Sequence, residues 1–376
     1  MESLAVNRNF WNARRVFITG HTGFKGSWLT LWLQNAGALV TGFALEPPSK
    51  PALFDLASVT DGITHRHGDV CDFEALQEAL TEAQPEVVFH LAAQSLVRPS
   101  YENPVDTYAT NVMGTVHLLE AARAVDSVRA IVTVTSDKCY ENREWLWGYR
   151  ETEPMGGSDP YSSSKGCAEL VVGAYRRSFY TPKPGHSVHG AAIASVRAGN
   201  VIGGGDWSTD RLVPDAIRAF QNGQALMIRY PNAIRPWQHV LDPLAGYLRL
   251  AEALVVSGQA VADGWNFGPQ TGNEQPVSVV VDKLARLWGG DARWSRHQGE
   301  HLHEHHYLRL DCTKARTVLG WTPRLDLDTS LRLTVDWYRA YSEGKDLRDT
   351  TLEQIHNFEN EYLASDANTG DGIRRN

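Results

Sequence analysis

Cysteine is scarce: four in 376 residues, at 71, 139, 167 and 312, with no CxxC pair among them. That spacing excludes a thiolate zinc module, argues against a disulfide framework and suits a reducing compartment. No uncharged apolar run reaches the roughly 20 residues that a bilayer span needs. The N-terminus, MESLAVNRNFWNARRVFITG, scatters its charges instead of placing a basic stretch before an apolar one, so the expected location is the cytoplasm. Basic residues are outnumbered, 36 Lys and Arg against 44 Asp and Glu, for a net charge of −8. An acidic surface without a basic stripe argues against nucleic acid as a partner. Internal repeats and low-complexity tracts are also missing. What remains is a chain with 42% hydrophobic and 21% charged residues, long enough for about two domains.

The first half alternates β-branched runs with helical stretches, the pattern of a parallel sheet with crossover helices. Strands are expected at 15–19, 38–45, 86–91, 129–134 and 189–197, and helices at 27–35, 73–82, 111–124 and 162–177. After Gly203 the alternation loosens, with helices expected at 212–221, 243–256 and 277–287, a short strand at 265–267, and Leu331–Ser342 as the last substantial helix. The expected fold class is α/β: a Rossmann-type doubly wound parallel sheet with a smaller C-terminal α/β substrate-binding domain. The sheet domain would span 12–203 with returning segments near 236–268. The substrate domain would take 204–235 and 269–362, leaving 363–376 as a frayed tail.

Gly20-His21-Thr22-Gly23-Phe24-Lys25-Gly26 lies between the first strand and the first long helix. Glycines at such a turn admit a pyrophosphate close to the backbone, and the helix start supplies free N–H groups. The GxxGxxG spacing is the wider form of this dinucleotide fingerprint. Glu46 stands one or two residues past the place where an acid would grip the adenosine ribose, and no arginine is there for a 2′-phosphate, so NAD is favoured over NADP. Asp69 and Val70 are candidates for the adenine site, although Asp69 reads equally well as a helix cap before Phe73.

Tyr161 and Lys165 are four residues apart at a helix start, hence on one face. A phenol that acts as a base near neutrality needs its pKa lowered by about three units, which is about 4 kcal/mol. Lys165 and a positive nicotinamide ring are the expected sources. The strand ending at Val134 runs into Thr135-Ser136-Asp137-Lys138, and strand ends are where open α/β sheets hold their ligands. A simple alcohol oxidation needs the serine alone, so the added acid and base imply more chemistry.

With these motifs the chain resembles the extended short-chain dehydrogenase/reductases acting on nucleotide sugars, over roughly residues 12 to 345. The likeness rests on GHTGFKGSWL (20–29), HLAAQSLVRPSY (90–101), TSDKCYEN (135–142), YSSSK (161–165), RAGNVIGGGDW (197–207), RPWQHVLD (235–242) and HYLRLDCTKA (306–315). Within that family the Asp-Lys pair after Ser136 resembles the CDP-glucose type of 4,6-dehydratase; the dTDP-glucose and GDP-mannose types carry Glu second, and 4-epimerases lack the pair. The resemblance implies an internal redox cycle with NAD as cofactor and CDP-glucose as substrate. Tyr161 takes the proton from the sugar 4-hydroxyl, Ser136 orients it, and hydride leaves carbon 4. Lys138 takes the carbon-5 proton, for which it must lose its own, while Asp137 protonates the departing 6-hydroxyl; hydride then returns to carbon 6. The resemblance also puts Leu91, Ala92, Ala93 and Asn111 on the cofactor and Ser95 and Asn200 on the substrate. Arg235 and Arg211 would clamp the pyrophosphate, with Leu212 and Tyr307 near the base. It further implies a homodimer or homotetramer built through helices 111–124 and 162–177, and a place in deoxysugar synthesis for surface polysaccharide.

His301-Leu302-His303-Glu304-His305-His306 has the alternation of a metal site, yet the resemblance makes it a surface loop, and no metal is expected. Trp28 and Trp32, at helical spacing, read as core; Trp145 and Trp147 are candidates for the wall of the sugar pocket. Rival functions are a 4-epimerase or a dehydratase for another base, a plain alcohol or steroid dehydrogenase, and a non-catalytic NAD(P)-binding sensor. Asp137 and Lys138 speak against the epimerase, the long C-terminal portion against the plain dehydrogenase, and the Tyr161–Lys165 pair against the sensor.

Overall fold

In the computed structural model, which describes residues 6–182, 189–270, 272–299 and 307–363, apolar β-branched runs form the middle of one sheet. Strands β1 (Arg15–Thr19), β4 (Val87–His90), β5 (Ala130–Val134) and β6 (Ala192–Arg197) are buried along nearly their whole length, as strands covered on both faces must be. β2 (Leu39–Ala44) and β3 (Thr64–His67) continue the sheet on one side, and a short strand, Gly264–Asn266, closes the other beside β6. The order is Gly264–Asn266, β6, β5, β4, β1, β2, β3, and all six pairings are parallel. The chain direction across the sheet reverses between β1 and β4, and in such sheets the crevice at that reversal is where ligands bind.

Alternation along the strands separates two cores. Val87 and Phe89 of β4 and Ala130, Val132 and Val134 of β5 face one side, while Val88 and Ile131 face the other. Trp28 and Trp32 of the helix Phe24–Asn35 are fully buried in the first core, as their spacing predicts. Beyond β6, three short strand pairs join distant segments: Val201–Ile202 with Gln238–His239, Ile234–Pro236 with Glu274–Pro276, and Leu226–Ile228 with Trp294–Arg296. Helices Leu212–Gln221, Val277–Trp288 and Leu327–Ser342 accompany them.

Besides short strands and helices that the sequence reading did not name, two larger departures stand out. β3 was not anticipated because its four residues, THRH, are all exposed at the sheet edge and carry no apolar alternation. Leu327–Ser342 is not the last substantial helix: Leu347–Asn357 follows, capped by Asp346, whose side chain accepts from the Asp349 N–H. Its continuation returns to the first long helix, where Trp32 Nε1 donates to Glu359 Oε1 at 2.7 Å and Trp32 meets Phe358 edge-on at 5.8 Å. A largely polar sequence hides this helix, since its anchoring contacts are distant. Among the described residues no helix is long and apolar enough to cross a membrane.

Candidate active site

Close approaches shape the turn after β1. Gly20 has φ +76°, and a Cβ there would meet the Ala92 nitrogen at 2.6 Å; a Cβ on Gly26 would strike the Gly20 carbonyl. At Gly23 an added Cβ would meet one atom, the Gly20 carbonyl, at 3.4 Å. The turn is thus shut at Gly20 and Gly26 and open at Gly23, the N-cap of Phe24–Asn35. The first N–H groups of that helix have no acceptor one turn back, and its positive dipole end points the same way. Thr22 Oγ1 pins the turn by donating to the Leu45 carbonyl at 2.9 Å. An open glycine above free N–H groups fits a dinucleotide pyrophosphate.

On the adenosine side, Asp69 Oδ1 accepts from the Cys71 N–H at 2.9 Å, and Asp72, rather than Asp69, caps the helix Phe73–Ala83. Val70 is buried, with His117 Nδ1 donating to its carbonyl at 2.9 Å. The Glu46 side chain is 83% exposed, past the end of β2 and 3.9 Å from His67. Beneath lies a pair that sequence reasoning did not single out: His21 Nε2 and His65 Nδ1 at 2.7 Å. Burial, then the His65 charge, pulls His21 down to about 3, so it is neutral.

Polar side chains couple the strand ends to the Tyr161 helix. Thr19 Oγ1 and His90 Nδ1 are 2.7 Å apart on paired positions of β1 and β4. Ala92 N donates to Thr19 Oγ1 at 3.2 Å, so the Leu91–Ala93 segment runs along this crevice. Asn111 Nδ2 donates to the Gln94 carbonyl at 2.9 Å and to Ser164 Oγ at 2.8 Å, while its Oδ1 accepts from Gln94 N at 2.9 Å. The Asn111 amide therefore clamps the loop after β4 to the helix Pro160–Tyr175.

That helix, capped by Asp159, carries Tyr161 and Lys165 one turn apart, both buried. Burial raises Tyr161 to about 12 against the opposing hydrogen bond of Ser136. Burial pulls Lys165 down to about 8, and its Nζ donates to the Val134 carbonyl at 3.4 Å. Ser136 Oγ lies 3.1 Å from Asp137 Oδ1 and accepts from Lys138 N at 3.2 Å. Asp137 is 3% exposed, and burial pushes its carboxyl up, with Lys138, Ser136, Lys25 and Arg235 opposing. Its Oδ2 lies where a Cβ on Gly199 would be, which demands glycine there. Lys138 is half-buried. Lys25 reaches the same cleft from the first helix: burial, then the Arg211 charge, lowers it to about 8, and the charges of Asp137 and Lys165 also act on it.

On the opposite wall, Arg211 Nη1 donates to Asp206 Oδ2 at 2.9 Å and Nη2 to Ser95 Oγ at 3.0 Å, bringing two expected residues together. Leu212 opens the next helix. Asn200 is half-buried, its carbonyl accepting from Gln238 N at 3.2 Å, and Arg235 sits in strand Ile234–Pro236 within electrostatic reach of Asp137. The Tyr307 carbonyl accepts from Asn142 Nδ2 at 3.0 Å, and Arg309 lies over its ring. Trp145 stacks on Tyr149 at 5.6 Å, and Trp147 lines a separate groove of ≈ 370 Å³ with Arg150, Arg309 and Arg316, away from Tyr161. His301–His306 lie outside the described residues.

Sequence reasoning missed the buried ion pair behind the site. Arg197 Nη2 and Nε donate to Glu169 at 2.7 and 2.9 Å, Ser195 Oγ donates to Glu169 Oε2 at 2.6 Å, and Thr135 Oγ1 donates to Oε1 at 2.5 Å. Burial pushes the Glu169 carboxyl up, but Arg197 and these donors outweigh it and hold it below the usual range. Tyr161, Lys165 and Glu169 recur every fourth residue, a signal that was legible; the partner on β6 was not.

The chain is similar to known proteins along most of its length. The family model for GDP-mannose 4,6 dehydratase matches residues 17–334. The CDP-glucose 4,6-dehydratase of Salmonella typhimurium is 54% identical over 353 residues, 94% of this chain and 98% of that protein. The dTDP-glucose 4,6-dehydratase 1 of Escherichia coli is 27% identical, covering 88% and 94%. Among solved structures, the dTDP-glucose 4,6-dehydratase of Bacillus anthracis in complex with NAD superposes with a TM-score of 0.72 at 22% identity, over 89% of this chain and 100% of that one, which speaks to the fold.

Proposed function

Because the chain belongs to the GDP-mannose 4,6 dehydratase family, we propose that it catalyses the NAD-dependent 4,6-dehydration of CDP-D-glucose to CDP-4-dehydro-6-deoxy-D-glucose. When bound, NAD would supply the hydride acceptor for carbon 4, the source of the hydride that carbon 6 receives, and, in its oxidised form, a positive ring charge in the cleft. Tyr161 takes the proton from the 4-hydroxyl. Ser136, within hydrogen-bond reach of Tyr161, orients the same oxygen. Lys165 stabilises the phenolate by its charge, which a site with Tyr161 near 12 requires. Once carbon 4 is a ketone the carbon-5 proton is acidic, and Lys138 takes it. Asp137, a carboxyl whose hold on its proton is raised by burial, donates to the departing 6-hydroxyl. Glycines 20, 23 and 26 with Thr22, Phe24 and Lys25 hold the pyrophosphate of the cofactor; Asp69, Val70, Leu91, Ala92, Ala93 and Asn111 line the remainder of its cleft. Ser95, Asn200, Arg211, Leu212, Arg235 and Tyr307 bind the nucleotide sugar, the two guanidinium groups on its diphosphate.

The observation that carries this reading is the buried acid beside the serine of a Tyr–Lys pair: a redox couple alone has no use for it. The base preference rests on the 54% identity. A pair of chains joined through the helices Gly114–Arg123 and Pro160–Tyr175 is supported by exposed Met113, Leu170 and Phe179. Four free cysteines suit the cytoplasm. Residues 12–203 with 236–268 are proposed as the cofactor domain, and 204–235 with 269–362 as the substrate domain.

The test is turnover of CDP-, dTDP-, UDP- and GDP-glucose with catalytic NAD, read by the alkali-induced absorbance of a 4-keto-6-deoxy sugar. Product from CDP-glucose alone, without net cofactor reduction, is expected. Product from another nucleotide would remove the cytidine assignment, and none from any would remove the dehydratase.

A further inference from the structure

Behind Asp137 three buried polar atoms have no protein hydrogen-bond partner: Asp137 Oδ2, Gln238 Oε1 and Tyr247 Oη. Asp137 is 3% exposed, and Gln238 and Tyr247 are 0% exposed. Buried polar atoms are satisfied in all but a few cases, so three in one neighbourhood require a shared explanation.

They are neighbours by several independent routes. Asp137 Oδ2 occupies the space over Gly199. Gln238 Nε2 donates to the Gly199 carbonyl at 3.1 Å and to the Phe267 carbonyl at 2.9 Å. Tyr247, on the helix Leu241–Ser257, meets the Phe267 ring edge-on at 5.6 Å. The charges that reach its phenol are those of Asp137 and Tyr161. The helix packs against β5, the strand that leads to Asp137, and against its neighbour β6.

The donor and acceptor count is specific. With Nε2 committed to two carbonyls, the Gln238 amide must present Oε1, which accepts only. Tyr247 Oη donates one hydrogen. One water closes the set: it accepts from Tyr247 Oη and donates to Gln238 Oε1 and Asp137 Oδ2, three bonds, the usual number for a buried water. With both its hydrogens spent, it makes Oδ2 an acceptor, so in the protonated carboxyl the proton sits on Oδ1, and Ser136 Oγ, which donates to the ionised carboxylate at 3.1 Å, turns to accept from it.

We propose that Tyr247 and Gln238 hold a buried water against Asp137 Oδ2, and that this water keeps the acid's proton on Oδ1, the oxygen on the side of Ser136. The inference rests on Asp137 being the acid of the dehydration. Tyr247 is then a positioning residue that acts through Asp137. When Asp137 gives its proton to the departing hydroxyl, the water hydrogen bond at Oδ2 steadies the carboxylate left behind. Other groups face this carboxyl as well: Lys138 and Cys139 from its own segment, Lys25 from the first long helix, Arg235 from strand Ile234–Pro236 and Tyr161 from its helix.

The experiment is Tyr247→Phe, which removes one oxygen and keeps the ring. Single-turnover kinetics separate cofactor reduction from water loss. Reduction should be unchanged while water loss slows about tenfold. Losing a donor to the charged form makes the carboxyl hold its proton longer, so the alkaline limb of the water-loss rate should move to higher pH. A crystal structure of the wild-type protein at high resolution should show an ordered water bonded to Oη, Oε1 and Oδ2, displaced or reduced to two partners in the variant. Unchanged water loss and pH profile, equal slowing of both steps with a lower melting temperature, or no water between the three atoms would each overturn the proposal. Asp137→Asn run in parallel separates the two levels. If it loses water at the wild-type rate, the acid assignment itself is wrong; if it stalls after reduction while Tyr247→Phe behaves as wild type, the water alone is wrong.

Discussion

Asp137 and Asp242 are both buried carboxyls that burial pushes up, yet their surroundings differ in kind. Asp242, in the helix Leu241–Ser257, accepts from Arg324 N at 2.7 Å and from Leu325 N at 3.2 Å, one on each oxygen. It ties the chain near residue 324 to the helix start and has nothing left to offer a ligand. Asp137 opens the short turn that follows β5, with one oxygen accepting from Ser136 and the other without a protein partner. A shifted carboxyl alone marks neither role; the unfilled valence beside a serine, phenol and lysine does.

The strongest way to break this comparison is to neutralise each carboxyl in turn. Asp137→Asn should slow water loss by about 10²–10⁴-fold, the range for losing a general acid, while bound cofactor is still reduced and the melting temperature holds. Tyr161→Phe, as the control, should lose the reduction step by a similar factor, seen as absent absorbance at the reduced cofactor's band. Asp242→Asn should leave both steps within a few-fold and lower the melting temperature instead.

Glu169→Gln comes next. It strips the buried Arg197 of its counter-charge, which costs about 3–5 kcal/mol, read by denaturant unfolding. Adding Arg197→Met should recover part of that loss, because an uncompensated charge is worse than a missing pair.

Asp242 also predicts a slope. A carboxyl raised from 3.8 to about 7 on folding stabilises the protein fully below its unfolded pKa, and that contribution is lost as pH rises from about 4 to 7, by about 4 kcal/mol at most. The wild-type minus Asp242→Asn stability difference should therefore fall across that window and be flat above it. A difference independent of pH would show that Asp242 is ionised in the folded protein.

The smallest contrast is between Gly26 and Gly23. Gly26→Ala drives a Cβ into the Gly20 carbonyl and should cost about 1–3 kcal/mol of stability without any cofactor present. Gly23→Ala meets no such obstacle in the free protein, so its melting temperature should hold, while NAD affinity falls about tenfold, or ~1.4 kcal/mol. Equal destabilisation by both would mean that Gly23 is a packing residue.

Much of this protein was legible because its signals are contiguous. Gly20 to Gly26 form one turn, Tyr161 and Lys165 one helical step, and the apolar runs at 87–90 and 130–134 read as doubly buried strands. Asp69 read equally well as an adenine contact or as the cap before Phe73, because Asp69 and Asp72 carry the same side chain ahead of one helix; the backbone shows that Asp72 accepts from the Ala75 N–H. The strand at 64–67 and the helix at 347–357 escaped because neither has an apolar rhythm of its own. Each is held by an edge or by contacts hundreds of residues away.

By itself the sequence determined the central strands of the sheet, the glycine turn after β1 and the Tyr–Lys spacing, since period, spacing and residue type are local properties that sterics and hydrogen bonding translate directly. Tertiary structure decided what each group can do. Glu169 became a buried counter-charge only when β6 brought Arg197 to it, Asn111 became a clamp when the loop after β4 closed on Ser164, and the Asp137 carboxyl was pushed up when the fold buried it. Burial and partnership set protonation and orientation, and both depend on neighbours that sequence distance does not reveal.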